Sequence, residues 1–118
     1  MKVYGIVRCD TVKRARAWLD AQGIAYDFVD FRKSPPTRDL LEHWAKAVGV
    51  ESLVNRRGST WRMLSSAEQS AAADAESAIA LMLARPTVIK RPVVESAHAL
   101  VVGFDAADYA RRFGAVRR

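Results

Sequence analysis

The spacing of apolar residues changes period along the chain, and each change marks an element. Residues 2–7 (Lys-Val-Tyr-Gly-Ile-Val) form a short, almost unbroken apolar run, the mark of a buried strand. From Thr11 to Gln22 the period lengthens. Val12, Ala15 and Leu19 recur at helical spacing, with Trp18 at their flank. Gly23 follows as the left-handed stop. Tyr26 to Phe31 returns to strand character, rich in aromatic and β-branched residues. Short connections on both sides of the helix predict a βαβ unit with parallel pairing.

Ser34-Pro35-Pro36-Thr37 then breaks the pattern. Thr37 is the predicted N-cap of a helix that carries Leu40, Leu41, Trp44, Ala45 and Val48 on one face and ends at Gly49. Val54 to Arg62 reads as a basic loop. Ser65-Ser66-Ala67-Glu68 has capping-box spacing and opens one Ala-rich helical region, closed by Pro86, with Ile79, Met82 and Leu83 as core contacts. Thr87–Lys90 is expected to be a short strand. Val93-Val94 and Ala99–Val102 should pair as a hairpin through Ser96-Ala97-His98. Asp105 should cap a last helix from about Ala106 to Phe113, with Phe104 and Tyr109 as its hydrophobic staple. The order is βαβ, a helical insert, then ββα. Residues 1–33 and about 87–118 would form the core of a single α/β domain with a mixed sheet, and about 37–85 the insert.

Cys9 falls where the first strand hands over to the first helix. A thiol there meets helix N–H groups without partners and the positive end of the helix dipole. Both favour the thiolate, which is the reactive form. Arg8, Lys13 and Arg14 add positive charge nearby. The competing reading is a small buried hydrophobe. Cys9 is the one cysteine in the chain, and position 12, where a Cys-x-x-Cys motif would carry its second thiol, is Val12 on the core face. Any disulfide formed on Cys9 must therefore be resolved by an external thiol, and glutathione is the abundant cytoplasmic candidate.

Composition narrows the setting. Formal charge is +6, and fourteen of the 19 basic residues are arginine. The planar arginine fork suits carboxylates and oxyanions. Basic residues are scattered from Lys2 to Arg118 without a long tract, and Arg117-Arg118 reads as a solvated tail. A small anionic or thiol substrate, or an acidic protein partner, fits this better than nucleic acid. No apolar run reaches membrane-spanning length. A single cysteine excludes an internal disulfide. The expectation is a cytoplasmic monomer. Two separated histidines and one cysteine make no metal-ligand cluster.

Three segments together carry a family resemblance: Tyr4-Gly5-Ile6 leading into Cys9-Asp10-Thr11 and Lys13-Arg14-Ala15, then Arg57-Gly58-Ser59-Thr60-Trp61-Arg62, then Ile89-Lys90-Arg91-Pro92. They resemble the ArsC-like family, and within it the YffB branch, related to arsenate reductases and Spx-type regulators. The resemblance covers nearly the whole chain and implies a thioredoxin-like core. It matches the reactive cysteine to Cys9, a loop arginine to Arg57, the arginine before a cis-proline to Arg91, and that proline to Pro92. It implies a glutathione-dependent thiol reductase, with glutathione as co-substrate rather than a bound cofactor.

On this reading Cys9 is the nucleophile, and Arg57, Arg91, Pro92, Thr11 and Lys13 bind substrate or glutathione. Gly58 would let the Arg57 loop turn tightly. Asp10 and Thr11 are also good helix caps, and Ser59 and Thr60 should cap the turn that follows them. Two other functions stay open. A Spx-like regulator would bind RNA polymerase or another partner, although those proteins commonly carry Cys-x-x-Cys. An arsenate reductase would share Cys9 and the arginines, but its Cys-Gly-Thr-Ser-type run is missing here.

Overall fold

The computed structural model describes residues 1–114. Arg117-Arg118, read above as a tail, lies outside them. The chain divides into two compact units. One comprises Met1–Lys33 together with the chain from Arg91 onward, and the other is Ser34–Lys90.

The first unit is a four-stranded mixed sheet with two helices. The strands are β1 (Lys2–Gly5), β2 (Asp27–Asp30), β3 (Val93–Glu95) and β4 (Leu100–Val102), in the order β2-β1-β3-β4. β1 pairs parallel with β2 and antiparallel with β3, and β3 pairs antiparallel with β4. The helices are α1 (Asp10–Ala21) and α7 (Ala106–Phe113). Side chains alternate across a strand, so Val3, Val94 and Val101 share a face, and there they meet Ala15 and Leu19 of α1 and Tyr109 and Phe113 of α7. This is the thioredoxin-like arrangement expected from the element order.

Local signals act as predicted at both helices. Gly23 has φ 69° and closes α1, its N–H donating to Asp20. The Asp105 side chain accepts from the Asp108 N–H at 3.0 Å, and the Phe104 and Tyr109 rings meet edge to face at 4.8 Å as the staple. β1 is shorter than the apolar run. After Gly5 the chain turns, the Cys9 N–H donates to the Ile6 carbonyl at 3.1 Å, and Val7 is left exposed.

The second unit is helical: α2 (Arg38–Val48), α3 (Val50–Leu53), α4 (Ser59–Arg62), α5 (Ser66–Ala71) and α6 (Ala75–Ala84). Thr37 caps α2 through the Leu40 N–H, and Ser65 and Glu68 form the capping box on α5. Three expectations need correction. The Ala-rich region is two helices, because the Asp74 side chain accepts from Ser77 N–H at 2.8 Å and starts a second one. The basic stretch read as loop contains one helical turn, α4. Thr87–Lys90 is not a strand of the sheet. Pro86–Val88 form a 3-10 turn, and Ile89 makes an isolated bridge with Val54.

Candidate active site

Cys9 is the N-cap of α1, with extended backbone (φ −73°, ψ 124°) and no side-chain capping hydrogen bond. Its carbonyl accepts the Lys13 N–H at 2.9 Å. The residue is partly exposed, which sets aside the buried-hydrophobe reading. Asp10 and Thr11 were expected as caps, but the helix has already begun at Asp10. Asp10 is exposed in the first turn, where a carboxylate suits the dipole. Thr11 is half-buried and Lys13 is exposed.

Gly5 sets how close α1 comes to β1. A Cβ at Gly5 would fall 2.7 Å from Val12 Cγ2, well inside contact distance. With hydrogen there instead, the first turn of α1 settles on the end of β1. Val12 is fully buried, so the position of a second thiol faces the core.

The sheet register brings a second segment to the same end. Tyr4 pairs with Val93, so Pro92 and Arg91 continue β3 past the Gly5 end of β1, from which the chain runs to Cys9. The Arg91–Pro92 peptide is cis, as the resemblance implied. Pro92 is buried, and Arg91 is half-buried with its Nε covered. The Pro92 carbonyl accepts the Gly103 N–H at 2.8 Å, and the Gly103 carbonyl accepts the Tyr109 hydroxyl at 2.7 Å.

Further along the sheet, the Tyr4 hydroxyl donates to Glu95 at 3.2 Å. Burial foremost, and then the Glu95 carboxylate, push the Tyr4 hydroxyl up to about 12. On α1, the Arg14 guanidinium lies 5.8 Å from the Phe104 ring centroid.

Five of the six residues assigned to the site therefore belong to the first unit: Cys9, Thr11, Lys13, Arg91 and Pro92. Arg57 belongs to the second unit, where it is exposed. Its N–H donates to Asn55 Oδ1 at 3.1 Å, and its carbonyl accepts Arg62 Nη2 at 2.7 Å. Gly58 matters here for a different reason than turn geometry. Its φ is an ordinary −82°, but a Cβ would fall 2.8 Å from Asn55 Nδ2. Ser59 and Thr60 do not cap α4. Gly58 holds the cap position, and the Thr60 hydroxyl donates to Thr87 Oγ1 at 2.9 Å. Arg56 stacks 5.4 Å from the Trp61 centroid.

The Tyr109–Gly103–Pro92 relay was not among the features expected from the sequence. Its signal was the glycine between β4 and the staple: Gly103 has φ 86°, where side chains are strained. Among the described residues no group of three or more His, Cys, Asp or Glu stands ready to hold a metal, and no helix is long and apolar enough to cross a membrane.

Known proteins resemble this chain. The solved structure of the YFFB protein is 43% identical, covers 93% of this chain and 96% of its own, and superposes with a TM-score of 0.88. An arsenate reductase (ArsC) related protein from Brucella melitensis is 45% identical over 95% of this chain and 92% of its own, with a TM-score of 0.76. An uncharacterized protein of Haemophilus influenzae is 33% identical over 111 residues, 94% of this chain and 96% of that one. The ArsC family pattern matches residues 4–112. With a matched span that takes in Cys9, Arg57 and the Arg91–Pro92 corner alike, the chain belongs to the ArsC family.

Proposed function

We propose that this protein is a glutathione-dependent thiol reductase with Cys9 as its single nucleophile. The observation that carries the reading is the placement of Cys9: a partly exposed thiol at the N-cap of a twelve-residue helix, with no capping hydrogen bond of its own. A thiol on that residue stands at the positive end of the helix dipole and, being partly exposed, is open to a disulfide arriving from solvent.

The chemistry runs in two exchanges. The Cys9 thiolate attacks the glutathione sulfur of a mixed disulfide, forming a new S–S bond on Cys9 and releasing the substrate thiolate. A reduced glutathione thiolate then attacks the glutathione sulfur of that adduct, forming oxidised glutathione and restoring Cys9. The net change reduces one mixed disulfide and oxidises one added glutathione. Val12, buried where a resolving cysteine would stand, supports an external thiol.

Arg91 supplies a guanidinium for a carboxylate of the tripeptide, and the backbone at Arg91–Pro92 receives its extended chain. Thr11 and Lys13, in the first turn of α1, complete the proposed set. The family resemblance assigns Arg57 to the same anion, and a separate variant tests that assignment. The reading takes the protein to act in the cytoplasm, where glutathione is the abundant thiol.

Mass spectrometry after incubation with oxidised glutathione tests this. The wild type should gain one glutathione on Cys9, reduced glutathione should remove it, and Cys9→Ser should gain none. A Cys9 that iodoacetamide labels readily but oxidised glutathione leaves untouched would sink the proposal.

A further inference from the structure

We propose that the Tyr109 hydroxyl is a positioning group for the Pro92 segment of the site. This deepens the glutathione reading and rests on it. Tyr109 is fully buried, one turn into α7, and belongs to the core rather than to the surface that meets a ligand. Packing alone would be satisfied by phenylalanine. The ring already meets Trp18 at 5.7 Å, Phe104 at 4.8 Å and Phe113 at 5.2 Å, each edge to face.

The hydroxyl makes the difference. It donates to the Gly103 carbonyl at 2.7 Å, and the Gly103 N–H donates to the Pro92 carbonyl at 2.8 Å. Gly103, at φ 86°, is the bend that aims both of its peptide groups. One buried oxygen thus fixes the corner after β4, and that corner fixes the carbonyl next to the Arg91–Pro92 backbone. Burial foremost, with the neighbouring Asp108 carboxylate, raises the hydroxyl above its usual range, so it stays a donor at any pH at which the protein works.

The relay holds one particular group. Pro92 has no N–H, and its carbonyl is already taken by Gly103. Pro92 in turn sets the direction of the Arg91 backbone that precedes it, the segment the glutathione reading gives to the extended ligand. Removing the hydroxyl leaves a buried Gly103 carbonyl without its donor and lets that corner relax, at a distance from Cys9 itself. Glutathione binding should weaken while the intrinsic reactivity of the sulfur stays as it was.

The test compares Tyr109→Phe with Phe113→Leu, which loosens the same aromatic cluster but keeps the hydroxyl. Adduct formation on Cys9 is followed against oxidised glutathione concentration, and alkylation by iodoacetamide is measured in parallel. Tyr109→Phe should raise the half-saturating oxidised glutathione concentration about fivefold, the scale of one lost hydrogen bond, with the iodoacetamide rate unchanged. Phe113→Leu should lower the melting temperature without moving that concentration.

The proposal is overturned if Tyr109→Phe matches the wild type, or if both variants shift together. A wild type that forms no adduct removes the glutathione reading, and this inference with it; failure confined to the variant arm removes the inference alone. Amide exchange in the wild type gives a check that needs no variant. The Gly103 N–H should exchange only through global unfolding, and exchange through local fraying would refute the relay.

Discussion

The two units of this chain are held by different kinds of contact. The sheet unit depends on partners far apart in sequence. Val3 pairs with Val94, and Tyr4 bonds Glu95. The helical unit has distant links too, such as Thr60 to Thr87 and Val54 to Ile89, but its helix starts are fixed by neighbours. Thr37 caps Leu40, Ser65 and Glu68 cap each other, and Asp74 caps Ser77. Even Arg57 is tied within its own loop, through Asn55 and Arg62. Cys9, the proposed nucleophile, therefore sits in a frame that exists only when both ends of the chain have come together, while the insert's loop arginine is bonded within its own loop.

Replacing the two arginines separately probes this contrast most strongly. Arg91→Ala should slow glutathione adduct formation on Cys9 by about tenfold to hundredfold, the scale of a charge-assisted hydrogen bond. Arg57→Ala should do the same if the helical unit contributes to the chemistry. Adduct kinetics unaffected by Arg57→Ala would confine the site to the sheet unit.

Gly5→Val comes next. Its side chain would collide with Val12, and overpacking of this kind costs about 1–3 kcal/mol. Urea unfolding should show the loss, and Gly5→Val with Val12→Ala should recover part of it. A single variant as stable as the wild type would mean that α1 is not held against β1 by this contact.

The pH dependence of stability separates the units by sign. Glu68 and Asp74 are held below the ordinary carboxylate range, foremost by the backbone N–H groups of Ser65 and Ser77 respectively. A lowered folded value stabilises above the unfolded value and is lost as pH falls through the folded one, so the helical unit should weaken as pH drops below about 4. Tyr4 runs the other way. Its folded value of about 12 exceeds the unfolded 10.0, so the sheet unit loses stability as pH rises from 10.0 to about 12. Amide exchange resolved by residue, at both extremes, should show the helical unit opening first in acid and the sheet unit first in alkali. The reverse order would break the comparison.

The smallest expected effect is local. Thr37→Ala removes the cap of α2 and should cost about 1 kcal/mol in thermal or urea unfolding, with Cys9 adduct formation unchanged.

The same contrast explains what could be read before the fold was known. Caps announce themselves over three or four residues, so Thr37, Ser65 and Asp105 were legible, as was the Phe104–Tyr109 staple. Periodicity revealed the buried face of α1 in full. Errors arose where a local signal met a competing one. Ala71-Ala72-Ala73 looked like helix interior, yet Asp74 opened a new helix. Thr87–Lys90 had strand-forming residues, but Pro86 began a 3-10 turn and Ile89 found only Val54. Motif resemblance singled out Cys9, Arg57, Arg91 and Pro92 as candidates. The Gly103–Tyr109 relay left only a glycine as its trace, because an internal hydroxyl bonding a carbonyl six residues away changes neither spacing nor charge.

The chain leaves the sheet unit at Lys33 and does not return until Arg91. During synthesis, then, the ribosome delivers the whole of 34–90 before the strand that will flank β1 has been made. The N-terminal strand, with Cys9 just behind it, spends that interval without β3 beside it. The helical segment, being contiguous, meets no such delay. The segment that carries Arg91 and Pro92 is thus made only after the whole of the helical unit.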